Sequence, residues 1–108
     1  MYTQEDIEKL KELVLLHVHG ASEIMLFGSY ARGTATDDSD IDLVVLVESE
    51  IERREKLKLL ANIRSSFAAL GYNADILIKA KNTYLREISL PTLARRIEEE
   101  GKRLWTKS

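Results

Sequence analysis

The acidic residues at the start of the most apolar segment are the first candidates for chemistry. Residues 28–42 read GSYARGTATDDSDID and lead directly into the apolar run LVVLV. Asp40 and Asp42 are two residues apart, so in a strand both side chains point to one face, with alpha carbons about 7 Å apart. Two like charges on one face repel each other and call for a cation between them. Because the strand contains no Lys or Arg, Mg²⁺, which prefers oxygen ligands, fits best.

A third acid lies in a similar setting further along the chain. Asp75 begins the apolar stretch DILIKA, 33 positions after Asp42. If the two strands pair side by side, all three carboxylates converge. Three carboxylates around two ions roughly 3.5–4 Å apart form the geometry of two-metal phosphoryl transfer. In that chemistry, one ion lowers the pKa of an attacking hydroxyl, and the other holds the triphosphate and steadies the leaving pyrophosphate.

A Gly-Ser element upstream adds a candidate phosphate site. Gly28 has no side chain, so a phosphate can approach its backbone closely. Ser29 offers a hydroxyl and a backbone N–H at the start of a turn, where N–H groups favour anions. Arg32 lies one helical turn further on and could reach a phosphate. The apolar strand before Gly28 would deliver this turn to the same end of the sheet as the aspartates.

Together these residues resemble a known family. Gly28-Ser29, ten intervening residues, Asp40-x-Asp42 and the later strand residue Asp75 resemble the nucleotidyltransferase fold of the DNA polymerase beta superfamily. Within it, the chain is most similar to the minimal nucleotidyltransferases of bacteria and archaea, which are free-standing domains of about this size. The likeness covers nearly the whole chain, and it combines residue types, spacing and strand context.

The resemblance implies an activity and a role for each residue. Gly28 and Ser29 would bind the phosphates of ATP or another NTP. Asp40 and Asp42 would bind two Mg²⁺ ions, and Asp75 would bind the catalytic one. The family moves a nucleoside monophosphate, often AMP, onto an acceptor hydroxyl and releases pyrophosphate.

The resemblance also implies a partner. The chain has little room beyond a catalytic core, so a partner protein is expected to bring the acceptor. In the minimal family this partner is frequently a small helical HEPN protein, in pairs that resemble toxin–antitoxin systems. The nucleotidyltransferase is then the antitoxin and modifies a tyrosine hydroxyl of the HEPN toxin. Homo- or hetero-oligomerisation, the acceptor and the preferred base stay open at this point.

Each assignment has a simpler alternative. Asp40 and Asp42 could be acids that face solvent at a strand edge, and Asp75 could belong to the turn that follows Gly71. For Arg32 a salt bridge to the loop acids, Asp37 or Asp38, is weighed equally with phosphate binding. At the level of the whole protein, the alternatives are a partner-binding module without catalysis and a transferase for small molecules or RNA ends.

Hydrophobic periodicity predicts the elements that must position these residues. Thr3 and Asp6 form a capping box ahead of the first helix, which Gly20 is expected to stop. A long amphipathic helix is predicted over 52–70. Its expected apolar face comprises Leu57, Leu60, Ile63, Phe67 and Leu70. The remaining predicted elements are helices over 4–17, 84–90 and 91–100, a helical turn over 29–33, and strands over 23–27, 40–47, 74–78 and 103–106.

These elements predict an α/β (α+β) fold with a small mixed sheet and helices packed mainly on one face. The length of 108 residues predicts a single domain over 1–108. The net charge of −2 argues against a general grip on nucleic acid. With no cysteine, no apolar run long enough for a membrane span and a charged N-terminus, we expect a cytoplasmic protein without disulfides.

Overall fold

The computed structural model describes all 108 residues and contains five helices and four strands. In chain order they are α1 (Gln4–His17), β1 (Ala21–Phe27), α2 (Ser29–Arg32), β2 (Ile41–Val47), α3 (Arg53–Ala69), β3 (Ala74–Ala80), α4 (Lys81–Glu87), α5 (Leu93–Glu100) and β4 (Lys102–Thr106). Every element predicted from the sequence is present, with shifts of a few residues at the ends.

The first helix shows how local sequence sets an element. The predicted capping box is confirmed, because the Thr3 hydroxyl accepts the Asp6 N–H while the Asp6 carboxylate accepts the Thr3 N–H. Ile7, Leu10 and Val14 recur at helical spacing and are buried. The predicted bounds of the helix, 4–17, are confirmed, but the residue that terminates it is Val18, in an extended conformation, and not Gly20.

The four strands form one mixed sheet in the order β3-β2-β1-β4. β2 runs antiparallel to β1 and parallel to β3. The start of β2 therefore lies beside the end of β1 and the start of β3, at the same end of the sheet. This topology is what brings the turn after β1 and the acids of β2 and β3 to the same place.

Helices cover the two faces of the sheet unequally. One face carries a core cluster of 17 residues, in which Ile63 and Phe67 of α3 pack with α1 and the sheet. The other face carries a cluster of six, in which Tyr84 of α4 and Ala94 and Ile97 of α5 pack on the strands. The predicted fold class is confirmed, with α1 and α3 on the face of the larger cluster and α4 and α5 on the face of the smaller one. Because β2 is central and covered on both faces, its sequence after Asp42 is a continuous apolar run.

Three local predictions are corrected. Leu57 and Leu70, assigned to the buried face of α3, are both 59% exposed, since that face is narrower than the sequence pattern indicates. Pro91 does not begin the last helix; Thr92 caps it by accepting the Arg95 N–H. Asp40 lies just before β2 instead of inside it.

None of the helices is both long enough and apolar enough to cross a membrane.

Candidate active site

Two of the three predicted acids are direct neighbours across strands. In the parallel pairing of β2 and β3, Asp42 is the register partner of Asp75. On its other side Asp42 is paired with Phe27, the last residue of β1. The structure therefore brings Asp42 and Asp75 together from positions far apart in the sequence, as the side-by-side pairing of their strands requires.

The third acid is less constrained. Asp40 is exposed and precedes the strand by one residue. It is nevertheless close enough to Asp42 for its charge to act on that carboxyl. The three carboxylates, called the acidic cluster below, do not close into a ready-made group of metal ligands. Their use as metal ligands stays a prediction.

Electrostatics separates Asp42 from the other acids of the chain. Burial, and after it the negative charges of Asp75 and Asp40, raise the pKa of Asp42 above its usual value. Arg32 acts in the opposite direction and is too weak to cancel these effects. The site is therefore short of positive charge, and a bound cation would relieve it. Oxygen-only donors next to each other suit Mg²⁺, so the residues present fit the ion that the sequence implies.

Gly28 is required by its contact with Asp42. Its backbone has φ +74° and ψ −156°, a conformation that is essentially restricted to glycine. A Cβ atom added here would lie 2.4 Å from the Asp42 Oδ2 atom. The sequence predicted that Gly28 admits a phosphate. The structure adds that Gly28 makes room for the carboxylate of Asp42.

The turn after Gly28 places the other two predicted nucleotide-binding residues. Ser29 and Arg32 are the first and last residues of α2, whose backbone N–H groups at Ala31 and Arg32 bond to the Gly28 carbonyl. The alternative of a salt bridge from Arg32 to the loop acids is not found: Asp37 pairs with the amino group of Met1 instead. Arg32 is exposed and exerts its charge on Asp42, so it remains available to a ligand.

Sequence reasoning missed one residue of the site. Arg64 of α3 donates from Nε to the Asp75 Oδ1 atom at 3.0 Å and from Nη2 to the Ile76 carbonyl at 3.3 Å. The expectation that a metal ion fits this site best rested on the absence of Lys and Arg from the strand, and Arg64 shows that a helix also brings a cation to it. The only signal in the sequence was that Arg64 follows the buried position Ile63, which does not by itself reveal the contact.

A cleft of about 350 Å³ opens beside the two paired acids. Asp42, Asp75 and Arg64 stand at its polar end. The rest of its lining is apolar and comes from the sheet and α5: Phe27, Leu43, Val44, Ile76, Leu77, Leu93 and Ile97. A group that binds here would place a polar tip at the carboxylates and an apolar body against the sheet.

Comparison with known proteins identifies the class. The family model described as a nucleotidyltransferase domain matches residues 5–104. The chain belongs to this family and has its polymerase-beta-like fold. It is 35% identical over 97 residues to protein adenylyltransferase MntA of Thermococcus cleftensis, covering 82% of this chain and 95% of that protein.

A second relative matches over a shorter stretch. The chain is 41% identical over 69 residues to MJ1305 of Methanocaldococcus jannaschii, provisionally named a protein adenylyltransferase. That match spans 61% of this chain and 47% of the relative.

Solved structures share the fold. A crystal structure described as a toxin–antitoxin with AMP-PNP superposes with a TM-score of 0.66 at 24% identity, over 94% of this chain and 73% of that chain. A structure of a tri-AMPylated HEPN toxin of Shewanella oneidensis in complex with an MNT antitoxin gives 0.62 at 24% identity, over 96% and 72% of the two chains.

Proposed function

We propose that residues 1–108 form one nucleotidyltransferase domain that transfers AMP from ATP to an acceptor hydroxyl and releases pyrophosphate. The observation that carries this proposal is the pairing of Asp42 with Asp75 next to Gly28, because it assembles acids and a phosphate turn from three elements at one edge of the sheet. The same arrangement motivates two Mg²⁺ ions, held by Asp40, Asp42 and Asp75.

Each residue has a defined task in this reaction. Gly28 and Ser29 cradle the phosphates, and Arg32 neutralises part of their charge. The bond between the α-phosphorus and the bridging oxygen of pyrophosphate breaks as the acceptor oxygen bonds to that phosphorus, and the acceptor loses one proton. Metal ions held by Asp40, Asp42 and Asp75 would lower the pKa of the acceptor hydroxyl and neutralise phosphate charge.

The lining of the cleft favours an apolar acceptor with a single hydroxyl over a polar one. A tyrosine ring is apolar and carries a single hydroxyl at its tip, which matches walls of Phe27, Leu77 and Leu93 that lead to the carboxylates. A sugar or a nucleobase would leave polar groups unpaired against those walls, which costs free energy. We therefore place the acceptor tyrosine in this cleft.

The proposed acceptor belongs to a HEPN-type helical partner, and the chain acts as the antitoxin of such a pair in the cytoplasm. Two comparisons support this step: the relative from Thermococcus cleftensis is named a protein adenylyltransferase, and a structural neighbour is described as an MNT antitoxin with its AMPylated HEPN toxin. Binding to nucleic acid in general is not proposed, in keeping with the charge of −2.

The test is transfer of label from α-³²P ATP to a co-purified HEPN partner in the presence of Mg²⁺. We expect labelling by the unaltered protein and a loss of roughly 10³-fold or more in the Asp40→Asn, Asp42→Asn double variant. A matched control is Asp37→Asn, Asp38→Asn, which removes the same charge from the exposed loop and should keep activity.

The same variants separate catalysis from simple contact. If the Asp40→Asn, Asp42→Asn variant still neutralises the toxic partner fully, neutralisation works by contact and does not need transfer, and the proposed antitoxin mechanism is wrong. Labelling of the partner on a residue other than tyrosine would leave the transfer intact and refute the assignment of the acceptor.

A further inference from the structure

Arg64 contacts the acidic cluster from an unexpected side. β3 is an edge strand of the sheet, and along it Ile76 faces the cluster packed under α3 while Leu77 faces the opposite cluster. Asp75 points to the same face as Leu77 because side chains alternate. Arg64 belongs to α3 and must therefore reach around the open edge of the sheet to meet the Asp75 carboxylate.

The contact is specific in its atoms. Asp75 Oδ1 accepts two hydrogen bonds, from Arg64 Nε at 3.0 Å and from the Ile76 N–H at 2.8 Å. The second guanidinium nitrogen of Arg64, Nη2, bonds to the Ile76 carbonyl at 3.3 Å. One carboxylate oxygen is thus held by both a side chain and the backbone, while Oδ2 is left for a ligand.

Stability does not account for this arrangement. The side chains of Arg64 and Asp75 are 49% and 65% exposed, and ion pairs at that exposure contribute little to folding. What the contact does determine is the orientation of Asp75. Ligating carboxylates are commonly oriented by hydrogen bonds from neighbouring groups, and loss of such a partner weakens metal binding.

We propose that Arg64 is a positioning residue for the metal site: it holds Asp75 Oδ1, which fixes the carboxylate beside its register partner Asp42 and leaves Oδ2 for the ion. This inference rests on the proposed function, since it assigns the acidic cluster to a divalent cation. The inference predicts that replacing Arg64 weakens metal binding. Charge repulsion alone predicts the opposite, because removal of a nearby cation would tighten the binding of a metal ion.

The experiment is a titration of the purified full chain with Mn²⁺, followed by electron paramagnetic resonance of the free ion. We expect Arg64→Met to weaken Mn²⁺ binding by about 10- to 100-fold. Arg64→Lys, which keeps the charge and loses the planar pair of donors, should be intermediate. The matched control is Lys58→Met, an exposed cation on the same helix, whose affinity should stay within about twofold because nothing connects it to the site.

A double variant tests whether Arg64 acts through Asp75. Arg64→Met combined with Asp75→Asn should bind Mn²⁺ no more weakly than Asp75→Asn alone, since the positioned group is already removed. A melting temperature of Arg64→Met close to that of the unaltered protein would confirm that the loss is not caused by unfolding.

The outcomes separate this inference from the proposed function. If the unaltered chain binds Mn²⁺ and Arg64→Met binds it equally well or more tightly, the positioning role is refuted while the metal site stands. If the unaltered chain and Lys58→Met both fail to bind Mn²⁺, the metal site itself is refuted, and the role of Arg64 falls with it.

Discussion

Two groups of charged side chains lie on the same face of the sheet and differ in whether neighbouring residues neutralise them. At one end, the acidic cluster brings Asp42 and Asp75 side by side. Towards the other end, Glu23 of β1, 7% exposed, bonds to Arg103 of β4 at 2.8 Å. Arg103 also bonds to Glu98 of α5.

We call Glu23, Arg103, Glu98 and Tyr84 the Glu23 network, because the Tyr84 hydroxyl donates to Glu98 at 2.7 Å and completes the chain of contacts. Lys81 adds a further positive charge 3.8 Å from Glu23. Every buried polar side-chain atom of the protein has a partner. The negative charges of the network are therefore balanced by its own positive charges. Its contacts connect β4, α4 and α5 to Glu23 of β1.

The pKa directions express this difference. Hydrogen bonds from Tyr84, and after it from Arg103, lower the pKa of Glu98, so its ionised form is favoured in the folded state. Burial, and after it the same contact with Glu98, raises the pKa of Tyr84. At Asp42 the ionised form is disfavoured instead. The charges of the Glu23 network are neutralised within the fold, so this network stabilises the structure. The charges of the acidic cluster are not neutralised, which indicates a site for a ligand.

The largest expected effect comes from breaking the geometry of the acidic cluster. Gly28→Ala forces a Cβ atom to within 2.4 Å of Asp42 Oδ2 at a positive φ. We expect transfer activity to fall about 10²-fold through misplacement of Asp42, and unfolding free energy to fall by about 1–3 kcal/mol. Steady-state transfer assays and urea denaturation measure the two effects.

The control for this change is Gly20→Ala, whose Cβ atom would meet nothing within 4 Å. It should leave both activity and stability close to those of the unaltered protein. Full activity of Gly28→Ala would contradict the tight packing of Asp42 against Gly28, and with it the description of the acidic cluster in this comparison.

A second change breaks the Glu23 network. Arg103→Met leaves Glu23 buried with only Lys81 nearby, and we expect a loss of about 2 kcal/mol of unfolding free energy, below the range for a fully buried pair because Arg103 is half exposed. Urea denaturation at neutral pH provides the measurement, and Lys102→Met, an exposed neighbour on β4, is the control. Mn²⁺ affinity should stay unchanged; a large drop would show that the two charge groups are coupled.

The smallest expected effects are changes in stability, and their direction should differ between the acidic cluster and the Glu23 network. The pKa of Asp42 is raised above 3.8 in the folded state, so its ionisation destabilises the metal-free protein as pH rises through that folded pKa. Asp42→Asn should therefore be more stable than the unaltered protein at neutral pH, by a few degrees of melting temperature at most. This difference in melting temperature between the two proteins should disappear below pH 3.8, where Asp42 is neutral in both the folded and the unfolded state.

Glu98→Gln should behave in the opposite way. Because the pKa of Glu98 is lowered below 4.5, its contribution to stability is present above pH 4.5 and is lost as pH falls through the folded pKa. Glu98→Gln should thus be less stable than the unaltered protein at neutral pH, with the difference fading in acid. Thermal melts from pH 3 to pH 7 of both variants test this, and equal signs would refute the comparison.

Much of the site was predictable because its signals are local or follow from strand pairing. The capping box of α1 and the helical turn over 29–33 depend on neighbouring residues and are confirmed. The convergence of Asp42 and Asp75 follows once two apolar strands are paired in parallel, since each acid occupies the second position of its strand.

The missed features depend on contacts between distant segments. Glu23 and Arg103 are 80 positions apart, so nothing in either local pattern announces their ion pair. The exposure of Leu57 depends on how α3 is rotated against the sheet, which hydrophobic periodicity predicts only approximately. Asp40 was placed inside the strand because strand ends are set by pairing partners that the sequence does not display.

The sequence by itself determined the residue types and their order: a glycine turn, two acids at the start of one strand and one acid at the start of another. That is sufficient for the fold class and the family, because strand and helix signals act over a few residues. Only the tertiary structure decided which charges meet. It paired Asp42 with Asp75, brought Arg64 around the sheet edge to Asp75 and neutralised Glu23 with Arg103, since electrostatic interactions depend on distance in space and not along the chain.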